Sequence, residues 1–150
     1  MSSSDDVVVA ILAKDKAVTL PLYLSCLEIQ TVPKERIHLY VRANDSSDNT
    51  VEVLRRWIDA NGRFYKSVTV DYSDIGGLRH YGHHEWDVHR FRVLGQIRQA
   101  SVDHARRLGC HYFVADADTF VVPTTIENMF DSGLPVVAPM VRTPYTEYSN

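Results

Sequence analysis

Apolar positions fall in short dense runs separated by polar loops and periodic stretches, a pattern that predicts successive strand–helix units. Val7-Val8-Val9-Ala10-Ile11-Leu12-Ala13 is continuously apolar and rich in β-branched residues, as expected of a strand covered on both faces. Lys14-Asp15-Lys16 breaks the run at its carboxyl end. A helix is expected next, with Thr19 near its start and Pro21 in the tolerated first turn. Leu22, Leu24, Cys26 and Leu27 are expected to give it a buried face. Pro33 ends that region, and Ile37-His38-Leu39-Tyr40-Val41 reads as a second strand.

Asn44-Asp45-Ser46-Ser47-Asp48-Asn49-Thr50 is a polar loop leading into a helix with Val51, Leu54, Trp57 and Ile58 at helical spacing. Ser47, Asp48 or Thr50 can cap that helix. Asn61-Gly62 closes it, and Val68-Thr69-Val70-Asp71-Tyr72 reads as a third strand. Ser73 to Trp86 is a glycine-rich loop whose His80, His83 and His84 are expected to be exposed. From Asp87 to Leu108 a long amphipathic helix is predicted, with Val88, Phe91, Leu94, Ile97, Ser101, Ala105 and Leu108 as its buried stripe.

Tyr112-Phe113-Val114-Ala115 predicts a fourth buried strand that runs into Asp116-Ala117-Asp118. A short helix is expected from Pro123-Thr124-Thr125 through Ile126, Met129 and Phe130, then a short strand over Leu134 to Pro139. Met140 to Asn150 shows no periodicity. Consecutive units of this kind, joined by right-handed crossovers, predict an α/β fold with a mainly parallel sheet flanked by helices. Residues 1–150 read as one Rossmann-like domain, since no repeat or linker divides them.

Composition narrows the function. The net charge of −3 argues against a general nucleic-acid binder, although arginines gather locally at Arg90, Arg92, Arg98, Arg106 and Arg107. Cys26 and Cys110 lie in apolar periodic segments and are expected to be buried thiols, with no Cys-x-x-Cys spacing for structural zinc. The Val7 to Ala13 run is too short for a membrane span, and Met1 to Asp6 lacks the basic start of a signal peptide. The expectation is a cytoplasmic domain with no membrane span.

The chemistry concentrates at strand ends. Asp116 and Asp118 should point to one side if the extension continues through Ala117. Two carboxylates so close cost free energy unless a cation or several donors sit between them. Mn²⁺ or Mg²⁺ combines one or two carboxylates with ligand phosphates. Ligands of parallel sheets sit beyond the carboxyl ends of the strands, where Lys14, Asn44 to Asp48 and Asp116 to Asp118 all fall. A metal–diphosphate site is the reading that these positions share. Arg98, on the long helix, is a candidate for the anionic ligand.

The order apolar strand, Asn-Asp-Ser-Ser-Asp-Asn-Thr, long helix with Arg98-Gln99-Ala100, then Asp-Ala-Asp resembles the nucleotide-binding half of GT-A-fold glycosyltransferases. Val9 to Lys14, Leu20 to Leu27, Pro33 to Ile37 and Val137 to Met140 look closest to the first glycosyltransferase domain of procollagen (hydroxylysine) galactosyltransferases. Anp1-type mannosyltransferases share a similar polar loop and the Asp-Ala-Asp. The resemblance spans about Asp6 to Asn150. It implies transfer of a sugar from a nucleoside-diphosphate sugar, by expectation a UDP-sugar, to a hydroxyl on a glycan, protein or lipid.

By the same resemblance Asp118 would be a direct Mn²⁺ or Mg²⁺ ligand, and Asp116 would hold the ribose or a metal-bound water. Ala10, Leu12, Ala13 and Lys14 would line the base and ribose pocket. Asn44 or Asp45 would contact the base, Ala117 would sit beside the nucleotide, and Arg98 would approach the diphosphate or ribose. The acceptor-binding half of such enzymes follows the point where this chain ends, so the expectation is either a fragment of a longer domain or a minimal form lacking that half. Two alternatives stand: a nucleotide-sugar-binding module without transfer activity, and a haloacid-dehalogenase-type phosphatase with Asp116 as nucleophile. The second lacks its expected threonine, because Phe120 occupies that place.

Overall fold

The computed structural model describes residues 5–76, 81 and 85–142. Four strands, β1 (Val7–Ala13), β2 (Ile37–Ala43), β3 (Ser67–Asp71) and β4 (His111–Val114), form one sheet in the order β3-β2-β1-β4. Every pairing is parallel, with Val7 opposite both Ile37 and His111, and His38 opposite Ser67. β1 is central, which explains its unbroken apolar run: Val7, Val8, Val9, Ala10 and Ile11 are all at most 1% exposed.

Four α-helices connect or follow the strands: α1 (Leu20–Glu28), α2 (Thr50–Asn61), α3 (Val88–Leu108) and α4 (Thr125–Asp131). Leu20, Tyr23, Leu24 and Leu27 bury the inner side of α1, and Leu54 seats α2. The expected face of α1 is thus shifted: Leu22 is exposed and Cys26 half-buried. Pro at the second helical position fixes the phase by starting the helix at Leu20. Trp57 is half-buried against the core and its indole N–H donates to Glu28 Oε1 at 2.6 Å, tying α2 to α1.

α3 departs from the predicted stripe. Its buried positions are Val93, Ile97, Ser101 and Ala105, while Val88, Phe91 and Leu108 are exposed. A helix of 21 residues is roughly 30 Å long, more than this narrow sheet can cover, so both ends overhang. Ser101 escapes burial cost through its hydroxyl, which pairs with the Tyr112 hydroxyl at 2.8 Å. The Asp87 cap and the left-handed Gly109 stop are as expected: the Asp87 carboxylate accepts from the Arg90 amide at 2.7 Å.

Two further expectations fail. Leu134 to Pro139 forms no strand; Pro135 and Pro139 withhold ladder donors, and Leu134 and Val136 stand exposed. Extension also stops at Val114, because the Thr119 amide donates to the Asp116 carbonyl at 2.7 Å and closes a turn. Asp116 and Asp118 therefore sit on a turn rather than on one face of a strand. The loop histidines His80, His83 and His84, and Thr143 onward, lie outside the described residues.

Candidate functional site

The loops after β1 and β2 are stitched together before either reaches a ligand. The Asp15 carboxylate accepts from the Ser47 amide at 2.6 Å and the Ser47 hydroxyl at 3.1 Å. In return the Asp15 amide donates to Ser46 Oγ, the Lys16 amide to Thr50 Oγ1 at 2.7 Å, and the Ala17 amide to Asp48 Oδ2 at 3.0 Å. The other Asp48 oxygen accepts from the Thr50 amide at 2.9 Å, so Asp48, one residue before the Asn49 cap position, satisfies the first amide of α2. Asp15 and Asp45 adopt left-handed backbone conformations, φ 52° and 48°. Such conformations cost of order 1–3 kcal/mol and persist where surrounding bonds over-determine them.

Burial pushes the carboxyls of Asp15, Asp45 and Asp48 upward, and the donated hydrogen bonds outweigh it. Ser47 and Lys14 hold Asp15 below the ordinary range. Asn44 and the Gly76 and Ile75 amides do so for Asp45, and Thr50 and Ala17 for Asp48. These three aspartates are framework.

The turn after β4 is different. Asp116 Oδ1 accepts from Arg98 Nη2 at 2.6 Å, and Asp118 Oδ2 from Lys16 Nζ at 2.5 Å. Their side chains are 65% and 46% exposed, respectively. Fully buried Tyr23 braces this turn from beneath by donating its hydroxyl to the Ala115 carbonyl at 3.1 Å.

Between the stitched loops, this turn and the overhanging start of α3 lies a cleft of about 350 Å³. Its floor is Leu12, Asn44 and Ala117, and its wall is Val93, Leu94 and Ile97 of α3. Lys14, Lys16, Arg90 and Arg98 bring four cations to the same opening as Asp116 and Asp118. Arg90 is stacked over Trp86, 4.0 Å from the ring centre, and over Tyr81 at 5.0 Å. An opening with several cations, exposed carboxylates and an apolar wall suits a ligand that is anionic at one end and flat or apolar at the other.

Of the residues expected to line the site, Leu12, Lys14, Asn44, Arg98, Asp116, Ala117 and Asp118 do so. Ala10 and Ala13 are closed inside the sheet. Asp45 turns away: its carboxylate is filled by Asn44 Nδ2 and the amides of Ile75 and Gly76, and its carbonyl accepts from Lys14 Nζ at 2.5 Å. Lys16, Tyr81, Trp86 and the α3 wall were not singled out from sequence. Lys16 could have been, as a cation at the end of the central strand. The α3 wall could not, because apolar residues on a helix read as core.

A family model described as "Glycosyltransferase family 25, N-terminal domain" matches residues 4–150. A Drosophila melanogaster glycosyltransferase 25 family member is 34% identical over 98% of this chain, and mouse procollagen galactosyltransferase 2 is 33% identical over 91%. Mouse "inactive glycosyltransferase 25 family member 3" is 36% identical over 96%. The chain spans about a quarter of the length of these relatives, 24%, 23% and 25%. Among solved structures, S. aureus TarS in complex with UDP-GlcNAc shares the fold with a TM-score of 0.58 at 15% identity, over 84% of this chain and 30% of that one. With a family model matching nearly its whole length and relatives above 30% identity, the chain belongs to glycosyltransferase family 25, as its N-terminal domain.

Proposed function

We propose that this domain binds a nucleoside-diphosphate sugar, preferably a UDP-sugar, in the cleft above β1 and β4. As part of a longer polypeptide it would serve transfer of the sugar to a hydroxyl acceptor on a glycan, protein or lipid. One observation carries the reading: Lys14, Lys16, Arg90 and Arg98 converge with Asp116 and Asp118 on one opening at the carboxyl edge of a parallel sheet. Family membership and the shared fold with a UDP-GlcNAc-bound protein support it.

Asp118 and Asp116 fit Mn²⁺ or Mg²⁺. Both are oxygen donors, both are exposed to the cleft, and these ions commonly take one or two carboxylates and complete their shell with phosphates and water. When bound, such an ion supplies charge neutralisation for a leaving diphosphate. The remaining work falls to the chain. Arg98 and Lys16 hold the two carboxylates in place and offer donors to an anionic ligand. Leu12, Ala117 and the α3 wall exclude water on the apolar side.

A second reading, binding without transfer, is favoured by the mouse relative called inactive, which is as similar as the galactosyltransferase. Calorimetric titration with UDP, with and without Mn²⁺, tests the first step common to both. Saturable binding strengthened by Mn²⁺ is expected; no UDP binding in either condition would overturn both. Release of labelled sugar to an acceptor then separates transfer from binding alone.

A further inference from the structure

The opposite, amino edge of the sheet gathers a second set of ligand-type side chains. Asp6 precedes β1, His38 lies in β2 and Cys110 precedes β4, so the parallel register brings three distant positions together. One ligand atom from each lies within 4.8 Å of the others. The Asp6 and Cys110 segments are joined directly, since the His111 amide donates to the Asp6 carbonyl at 3.0 Å. Left-handed Gly109 and a Cys110 amide bond to the Ala105 carbonyl turn the chain so that Cys110 enters at the strand start.

His38 is oriented as metal-binding imidazoles usually are. Its Nδ1 faces Ser67 Oγ at 2.7 Å, which leaves Nε2 directed at the Asp6 carboxylate, 3.9 Å away. We propose that Asp6, His38 and Cys110 form a binding site for a borderline divalent ion, Zn²⁺ by preference, separate from the nucleotide cleft. A mixed nitrogen, sulfur and oxygen set of three protein ligands suits four-coordinate Zn²⁺ with one open position, and suits Mg²⁺ or Mn²⁺ poorly. Tetrahedral zinc bonds place ligand atoms roughly 3.5 Å apart, so the three side chains need to close by little more than about an ångström.

The local charges oppose and help in part. Lys66 Nζ lies 2.6 Å from Asp6 Oδ2 and Arg36 reaches Asp5, so a cation must displace or share with Lys66, whose side chain is 45% exposed and can swing out. His104 stands beside this edge with its Nε2 buried and unpartnered among the described residues. Burial first, then Arg107 and His38, lowers its pKa.

Co²⁺ titration of untagged protein tests the site, because a cobalt–thiolate bond gives a near-ultraviolet charge-transfer absorption that no carboxylate site produces. One equivalent of Co²⁺ should develop that absorption, and Zn²⁺ should bleach it. Cys110→Ser should abolish it, while Cys26→Ser and Asp118→Ala should keep it, the last separating this site from the cleft. Should Cys110→Ser fail to fold by circular dichroism, His38→Asn is the second variant, with affinity expected to fall at least tenfold. No absorption in the wild type, an absorption surviving in folded Cys110→Ser, or full affinity in His38→Asn would overturn the proposal.

Discussion

Asp15, Asp45 and Asp48 each accept from backbone amides of neighbouring loops, with Lys14 added only at Asp15, whereas the side-chain partners of Asp116 and Asp118 are the flexible ends of Arg98 and Lys16. Both groups lie at the carboxyl ends of parallel strands, and both look like acidic loop residues in the sequence. The difference is what stands opposite. Amides of the next loop are fixed in direction and cannot leave, so an aspartate facing them becomes part of the framework. Long cationic side chains can be shared with an anion, so an aspartate facing them stays available to a ligand.

That contrast can be broken most severely at Asp118. Asp118→Ala should lower Mn²⁺-dependent UDP affinity on the order of 100-fold, about 2.7 kcal/mol, with the thermal midpoint unchanged. Calorimetry and a melting curve on one sample check both halves, and a lowered midpoint would place Asp118 with the framework. Asp48→Ala should do the reverse. It removes the acceptor for the Ala17 and Thr50 amides and should cost about 1–2 kcal/mol in urea unfolding.

Tyr23→Phe sharpens the boundary between the groups. Its hydroxyl holds the Ala115 carbonyl, next to Asp116, from inside the core. Removing it should cost about 1 kcal/mol of stability and also weaken UDP binding slightly; stability loss with wild-type affinity would show that the turn needs no brace.

Acid gives the smallest signal. The folded-state pKa values of Asp15, Asp45 and Asp48 are depressed, so their stabilisation is fully present above the unfolded aspartate value near about 3.9 and is lost as pH falls through the lower folded values. Stability should therefore decline below about pH 4, and less steeply in Asp48→Asn; parallel declines in the two proteins would remove Asp48 from the linkage.

Much of the architecture was legible from residues 7–131. The unbroken apolar run at Val7–Ala13 can be covered only from both faces, which implies a parallel sheet and crossover helices, and Ile37 to Val41 supplies the neighbouring strand. Leu134 to Pro139 misled because apolarity alone does not make a strand when prolines remove donors and no neighbour pairs with it. Val88, Phe91 and Leu108 misled because helical periodicity reports a face but not how far the sheet beneath extends.

For the site, sequence alone determined the residue types available at each strand end: Lys14, the Asn44 to Asp48 loop, and the Asp116–Asp118 pair. Their direction was settled only by tertiary structure. Ala10 and Ala13 are buried, Asp45 bonds backward to Ile75 and Gly76, and Lys16 arrives at Asp118 from 102 residues away. Local composition fixes which groups a loop carries, because that is covalent. Which of them remain open to a ligand depends on the donors that other loops bring, and those are assembled only when the sheet forms.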